Sequence, residues 1–359
     1  MEQKLIYGIQ QIGVGVENAT EAFEWYATRL GADISVFDDE NEATYMAPYM
    51  GGKPRKKRAI LALNLQGGSG YEIWQYLERQ PQPPINDILF GDLGINLAKI
   101  KTQNITASYD RLKKQGANLV SEIVSDPDGF KSFYFTDPYG NLLQIKEFNS
   151  WYAKKKIDTG GIFGCTLGVS DIEKSKVLYS DVLGYDEVIY DKTGVFDDLK
   201  SIPGGDGTYR RVLLGHAKDR TGGFSRLFGD SQIELIQAQS RKPNKIFENR
   251  YWGDLGFIHV CFDIRNMHAL TKECKEKGFP FKVLSDDSFD MGDANGHWGY
   301  IEDPDGTLVE FVETHKVPLL KKLNWNINLR KRAPSKPLPN WLIKAMAFNR
   351  VKFNGSSKD

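Results

Sequence analysis

The stretch Gln11-Ile-Gly-Val-Gly-Val16 … Arg29-Leu-Gly31 returns later in the chain as Gly164-Cys-Thr-Leu-Gly-Val169 … Val182-Leu-Gly184. Both ends of the match are displaced by 153 residues (164 − 11 and 184 − 31). A second stretch, Asp92-Leu-Gly94 … Thr136-Asp-Pro-Tyr-Gly140, returns as Asp254-Leu-Gly256 … Glu302-Asp-Pro-Asp-Gly306, at offsets of 162 and 166 (254 − 92 and 302 − 136). A period this long means that one structural unit is repeated, and the repeat decides the fold. Residues 5–148 and 161–315 are therefore read as two copies of one domain, and each copy has two halves. Every half opens on a short β-like run: IGVGV, INLAKI, CTLGV or HVCFDI. A capped helix follows, with Asn18, Asn104, Asp171 and Asn266 as the N-cap residues. Its buried stripe is Phe23/Tyr26/Leu30 in the first half and Ile172/Ser175/Tyr179 in the third. Three further strands close the unit. In the second and fourth halves the last strand follows Asp-Pro-x-Gly, where proline fixes φ and glycine supplies the positive φ of a tight turn. The chain is expected to be α+β, built of four βαβββ modules.

Bulk properties agree with two domains. At 359 residues the chain exceeds a single core of about 150 residues. It is 40% hydrophobic and 26% charged, ordinary for a globular protein. No run approaches the ~18 apolar residues of a membrane span, and MEQKLIYGIQQIGVGV lacks the basic start and apolar stretch of a secretion signal. Cys165, Cys261 and Cys274 form no CxxC pair, so a reducing cytoplasmic setting is expected. Residues 149–160, around the polar run Lys154-Lys-Lys-Ile-Asp-Thr-Gly-Gly161, are read as the inter-domain linker.

The zero net charge is unevenly spread. Residues 316–359 carry 11 Lys/Arg against one acid, Asp359, which leaves the remainder at 36 bases and 46 acids (47 − 11 and 47 − 1). A basic tail on an acidic body can address nucleic acid or an anionic membrane. The plainer reading is that it packs back on the body through the stripe Trp341/Ala345/Phe348, so neither nucleic acid nor membrane is expected as a partner. Lys53-Pro-Arg-Lys-Lys-Arg58 has the composition of a nucleic-acid patch, but its place between two strands makes a solvated loop the expectation.

Over residues 5–315 the pattern resembles the vicinal-oxygen-chelate (VOC) superfamily of glyoxalase I, bleomycin-resistance proteins and extradiol dioxygenases. The marks are the Gln-x-apolar-x-x-Val opening at Gln11 and the closings Asp137-Pro-Tyr-Gly-Asn-Leu-Leu-Gln144 and Asp303-Pro-Asp-Gly-Thr-Leu-Val-Glu-Phe311. The resemblance implies that modules pair into cupped mixed sheets, with metal ligands on the first and last strands of the two paired modules. The opening slots are then Gln11, Leu97, Gly164 and His259, and the closing slots Glu72, Gln144, Glu234 and Glu310. Leucine and glycine offer no side-chain ligand. If modules pair in chain order, both sites lack a ligand, and Glu234/His259/Glu310 is the alternative set. If first pairs with fourth and second with third, Gln11/Glu72/His259/Glu310 is complete and the other site is dead. One complete and one ruined site is the simpler arrangement, and the sequence favours it. Two carboxylates, an imidazole and an amide oxygen suit a divalent ion such as Zn, Ni, Co, Mn or Fe(II) without choosing among them.

The implied activity is that of a metal-dependent lyase, isomerase or epimerase, which removes a proton beside a carbonyl of a small molecule. Glu310 and then Glu72 are the candidate bases. Tyr300 lies ten residues before Glu310, where ring-cleaving dioxygenases place a catalytic tyrosine, although Tyr134 holds the same place before Gln144. His297 on the same strand is a further catalytic candidate. Against each candidate stands an ordinary structural role, a satisfied core histidine or a strand residue facing water. The arginines that clamp glutathione in glyoxalase I have no counterpart, since Gly13 and Gly15 flank Gln11 and Leu255 and Gly256 precede His259. A non-glutathione substrate is therefore expected. The alternatives are an Fe(II) ring-cleaving dioxygenase, which would need histidine where Gly164 stands, and a non-catalytic binding protein of the bleomycin-resistance kind. Monomer and homodimer are both compatible with the sequence.

Overall fold

The computed structural model describes residues 3–153, 157–287, 289–291, 294–320 and 325–353. Lys154–Lys156 of the linker and residues 321–324 and 354–359 of the tail lie outside them.

The first module runs β1 (Leu5–Gly15), α1 (Ala19–Leu30), β2 (Ile34–Glu42), β3 (Lys56–Leu63) and β4 (Gly70–Tyr76). The second is β5 (Gly94–Thr102), α2 (Ile105–Lys114), the short β6 (Asn118–Leu119) and β7 (Val124–Ser125), β8 (Lys131–Thr136) and β9 (Leu142–Glu147). The third is β10 (Thr159–Gly168), α3 (Ile172–Lys176), β11 (Glu187–Gly194), β12 (Tyr209–Gly215), α4 (Ser225–Phe228) and β13 (Gln232–Ala238). In the fourth, β14 (Gly256–Arg265) and α5 (Met267–Glu276) precede β15 (Val283–Leu284), β16 (Phe289–Met291), β17 (Ala294–Glu302) and β18 (Leu308–Leu320). The tail adds β19 (Trp325–Asn328) and α6 (Asn340–Ala345).

The side chains of Asn18, Asn104, Asp171 and Asn266 each accept a backbone N–H at the start of their helix. Beyond Lys176, α3 continues as a π-helical turn, Val177–Val182. The Asp-Pro-x-Gly turns close as their composition requires: Gly140 (φ 83°) and Gly306 (φ 93°) donate N–H to the carbonyls of Asp137 and Asp303.

Strand pairing crosses between the two sequence copies. One sheet runs β15-β17-β18-β14-β1-β4-β3-β2, modules four and one. The other runs β11-β12-β13-β10-β5-β9-β8-β6, modules three and two. Each sheet therefore takes one module from each copy. The opening strands meet antiparallel at its centre, β1 with β14 and β10 with β5. The repeated Asp-Leu-Gly has a role in this pairing. Asp254 of the fourth module bonds Arg79 of the first at 2.6 Å, and Asp92 of the second bonds Arg241 of the third at 2.6 Å. Each aspartate thus ties its own module to its sheet partner.

The helices knit the two sheets together. Residues of all four module helices share one apolar core with one face of each sheet. Tyr26 of α1 donates to Asp137 and Tyr179 of α3 to Asp303, so each helix touches the turn of the other module in its own copy. The opposite sheet faces carry separate clusters, around Trp74, Trp252 and Tyr300 in one and around Leu97, Tyr134 and Ile236 in the other.

Three expectations need correction. The basic run 53–58 is not wholly a loop: Lys56–Arg58 begin β3, and Arg58 pairs with Asp38 at 2.7 Å. The inferred linker overlaps β10, which already starts at Thr159. The tail does pack on the body, but through Leu342, Ile343 and Met346. Trp341 and Phe348 of the expected stripe are 57% and 71% exposed. The helix is short and passes into a 3-10 turn at Met346–Asn349, which breaks the α-helical period assumed in the stripe.

Candidate metal centre

In the first sheet, strand register sets the site. Gly13 on β1 lies opposite His259 on β14 and beside Glu72 on β4, while Cys261 lies opposite Gln11 and beside Glu310 on β18. These are central strands, apolar on the core face, so their other face is shielded by its own aromatic cluster. His259 Nε2 lies 3.0 Å from Glu310 Oε2 and 3.2 Å from Glu72 Oε2. The Gln11 amide Nε2 lies 3.3 Å from each of the same two oxygens. His259, Gln11 and Glu310 are buried, and Glu72 is 13% exposed at its side chain.

Several details show that a cation fits here. Ligand atoms of Glu72, His259 and Glu310 all fall within 4.8 Å of one another. Although Nε2 is at ion-pair distance from both carboxylates, neither ring nitrogen of His259 makes a hydrogen bond among the described residues. Gln11 Oε1 is also buried without a partner. A half-turn of the Gln11 amide exchanges Nε2 with Oε1 and would bring the oxygen to the same point. Two carboxylates aimed at one imidazole must be balanced by a proton or by a cation. Without the cation, burial disfavours a charged His259, but Glu310 and then Glu72 outweigh it and raise the imidazole to about 9. Gly13 makes room: a Cβ there would stand 2.3 Å from His259 Cε1.

Trp252 stacks on the His259 ring (centroids 6.2 Å, interplanar 14°), and Tyr300 meets it edge-on at 5.4 Å. Burial, with Glu310 and Glu72 adding, pushes the Tyr300 hydroxyl well above its ordinary value, so it stays protonated. A cavity of about 190 Å³ opens over this group. Gln11, Glu72, Glu310 and Tyr300 line it, with Trp74, Trp252 and Trp298 as aromatic walls. Phe224 and Phe228 from the third module and Met346 from the tail also reach it.

The equivalent face of the second sheet is different. Leu97 lies in an apolar cluster with Tyr134, and Gly164 offers no ligand. Glu234 and Gln144 are 90 residues apart in the sequence (234 − 144), yet one ammonium joins them: Lys99 Nζ donates to Gln144 Oε1 at 3.0 Å and to Glu234 Oε2 at 2.7 Å. Arg211, Thr166 and Tyr190 complete the Glu234 carboxylate at 2.8, 2.9 and 2.6 Å. Burial alone would raise that carboxyl, but Arg211 and Lys99 hold it well below the usual range.

The structure thus brings Gln11, Glu72, His259, Glu310 and Tyr300 together and keeps Glu234 in the other sheet. His297 turns to the opposite face of β17 from Trp298 and Tyr300, toward Asp287 at 3.8 Å, and does not line the cavity. Sequence reasoning missed Trp74 and Trp252, which carry no motif, and Lys57, which lines the cavity from β3. Alternation with Leu61 and Leu63 would have placed Lys57 on that face, had residues 56–58 been read as strand.

A cupped sheet built from two crossed modules, with a Gln/Glu/His/Glu cluster on its open face, is a scaffold of the vicinal-oxygen-chelate type with a candidate metal site. The family model of the Glyoxalase/Bleomycin resistance protein/Dioxygenase superfamily matches residues 8–145 and 161–311, and the chain belongs to that superfamily. Glyoxalase I from Zea mays is similar in fold, with 15% identity over 87% of this chain and 92% of that one (TM-score 0.51). So is a protein of Bacillus subtilis subsp. subtilis str. 168 whose assignment as a dioxygenase is itself provisional, at 15% identity over 86% of each chain (TM-score 0.54). Among the described residues no helix is long and apolar enough to cross a membrane, and Cys165, Cys261 and Cys274 are free thiols.

Proposed function

We propose that this chain is a metal-dependent enzyme of the glyoxalase type, a lyase, isomerase or epimerase that removes a proton beside a carbonyl of a small non-glutathione substrate. The observation that carries the reading is the convergence of Gln11, Glu72, His259 and Glu310 on one point at the wall of an apolar cavity. These four residues would hold the ion, whose identity among Zn, Ni, Co, Mn and Fe(II) the donor set leaves open. A divalent cation supplies Lewis-acid polarisation, which acidifies a C–H next to a carbonyl.

The remaining chemistry belongs to the protein. Glu310 takes the proton, and Glu72 is its alternate on the other side of His259. The protonated Tyr300 hydroxyl offers a hydrogen-bond donor on the same wall. Trp74 and Trp252 exclude water, which strengthens each electrostatic contact inside. A lone histidine among the four ligands weighs against the ring-cleaving alternative.

The test is exchange of carbon-bound protons, followed by NMR in D₂O with metal-loaded protein and a panel of 2-hydroxy ketones and 2-hydroxy aldehydes. Exchange at the carbon beside the carbonyl is expected, and Glu310→Gln should slow it by about 10²–10⁴-fold while retaining metal. Near-normal exchange in Glu310→Gln would move the base to Glu72. Oxygen uptake with catechols in place of exchange would replace the proposal with the dioxygenase reading.

A further inference from the structure

Among the described residues, the buried lysines and arginines all have partners. Lys99 is paired with Glu234, Lys146 with Asp126 and Asp128, and Arg211 with Asp198 and Glu234. Lys101 donates to the Ser150 carbonyl at 2.7 Å and stands over the Trp151 ring. Lys57, by contrast, makes no hydrogen bond or ion pair among the described residues, although it lines the cavity of the candidate metal centre. Glu72, Asp39 and Glu310 act on it only at a distance, and burial lowers its ammonium from the ordinary value. Lys57 is half-buried, and it is the one basic side chain on the wall of this cavity among the described residues, so it is placed to meet an anion that arrives with a ligand.

The strands give the direction. On β3, Lys57 stands four residues from Leu61, which faces Glu72 across the β3–β4 pair, while Lys57 itself faces Tyr76. At about 3.3 Å per residue that spacing is roughly 13 Å of strand, part of which a lysine side chain spans. Lys57, with Asn41 opposite it on β2, therefore sits at one end of the slot. Val36, Leu63, Phe224, Phe228 and Met346 form the apolar wall of the same cavity, and Leu63 lies beyond Leu61 on the side away from Lys57. Between the two ends lie Gln11, Glu72 and Glu310. The indole N–H groups of Trp74 and Trp252, both on the cavity wall, are also buried without an acceptor. With the Lys57 ammonium, these indole groups are donors that a ligand's oxygen acceptors can meet.

We infer that the substrate is an amphiphilic carboxylate: its anionic group bonds Lys57, its apolar end packs toward Phe224, Phe228 and Met346, and its reacting oxygens lie between them. This rests on the metal-centre reading for the middle of the slot only. Isothermal titration of two probe pairs separates the parts. The first pair is 3-(3,4-dihydroxyphenyl)propionate and 4-propylcatechol, titrated into metal-loaded protein. The acid is expected to bind about 10- to 100-fold more tightly, the worth of a hydrogen bond to a charged group. Lys57→Met should abolish the preference at unchanged metal content, and Lys57→Arg should keep most of it. The second pair, 4-phenylbutyrate and 4-phenylbutan-1-ol, has no adjacent oxygens and reads the Lys57 contact in metal-free protein. Equal affinity for acid and neutral partner in both pairs, or a preference that survives Lys57→Met, overturns the inference. Loss of metal-dependent catechol binding with the phenylbutyrate preference intact overturns the metal centre and leaves the Lys57 contact standing.

Discussion

The two sheets present four equivalent ligand slots each and treat buried carboxylates in opposite ways. In the first sheet Glu72 and Glu310 face one another across His259 and an open cavity. In the second, Leu97 occupies the His259 position, Lys99 that of Cys261, Thr166 that of Gly13 and Arg211 that of Ala59, by strand register. Glu234 is then satisfied by protein cations and hydroxyls, and no ligand is needed. A few substitutions thus turn a ligand site into a structural ion-pair network on the same frame. On the proposed reading, what differs is the source of the positive charge: protein cations in the second sheet and a metal ion in the first.

That contrast can be broken most forcefully at Arg211. It is buried and bonds both Asp198 and Glu234, so Arg211→Met leaves carboxylates without a cation. The expected loss is about 3–5 kcal/mol of stability by urea unfolding, with metal content unchanged. A loss under about 1 kcal/mol would mean that the second face is not a structural network.

The next effect concerns Gly13. Its Cβ would strike the His259 ring, so Gly13→Ala should weaken metal binding by about 10- to 100-fold, the range seen when groups that orient a ligand are altered. In the second sheet Thr166 occupies the matching position and donates to Glu234, so Thr166→Ala should cost only about 0.5–1.5 kcal/mol of stability and no metal. Competition titration against a chelating dye reads the first, and urea unfolding the second.

A proton count sharpens the comparison. In metal-free protein His259 is raised to about 9, above its unfolded value near 6.5. Its ion pairs therefore stabilise the metal-free fold fully below about pH 6.5, and that contribution is lost as pH rises through about 9. A ligand imidazole must be neutral, so metal uptake at pH 7.5 should release about one proton. Calorimetry in buffers of different ionisation enthalpy measures it. Zero proton release would contradict the His259 assignment.

Much of this was legible in the sequence, because repeats and caps are local signals. The 153-residue displacement, the four cap residues and the Asp-Pro-x-Gly turns all correspond to elements of the fold. The crossed pairing followed from which slots could ligate, since only Gln11 with His259 completes a set. Lys99 and Arg211 were not legible: a lysine in Asn96-Leu-Ala-Lys-Ile100 reads as a solvent-facing strand residue until its partner in another module is known. Trp252 sits in a loop without periodicity, and His297 looked catalytic only because its strand face was unknown. The tail stripe failed because a 3-10 turn changed the period.

The central claim is that one sheet holds a metal and the other replaces it with protein charge. Metal per chain, measured by elemental analysis of untagged, dialysed protein after loading, tests it most directly. The account predicts one ion per chain in the wild type and in Glu234→Gln, and a marked loss in His259→Ala. Two ions per chain, or retention in His259→Ala with loss in Glu234→Gln, would contradict it.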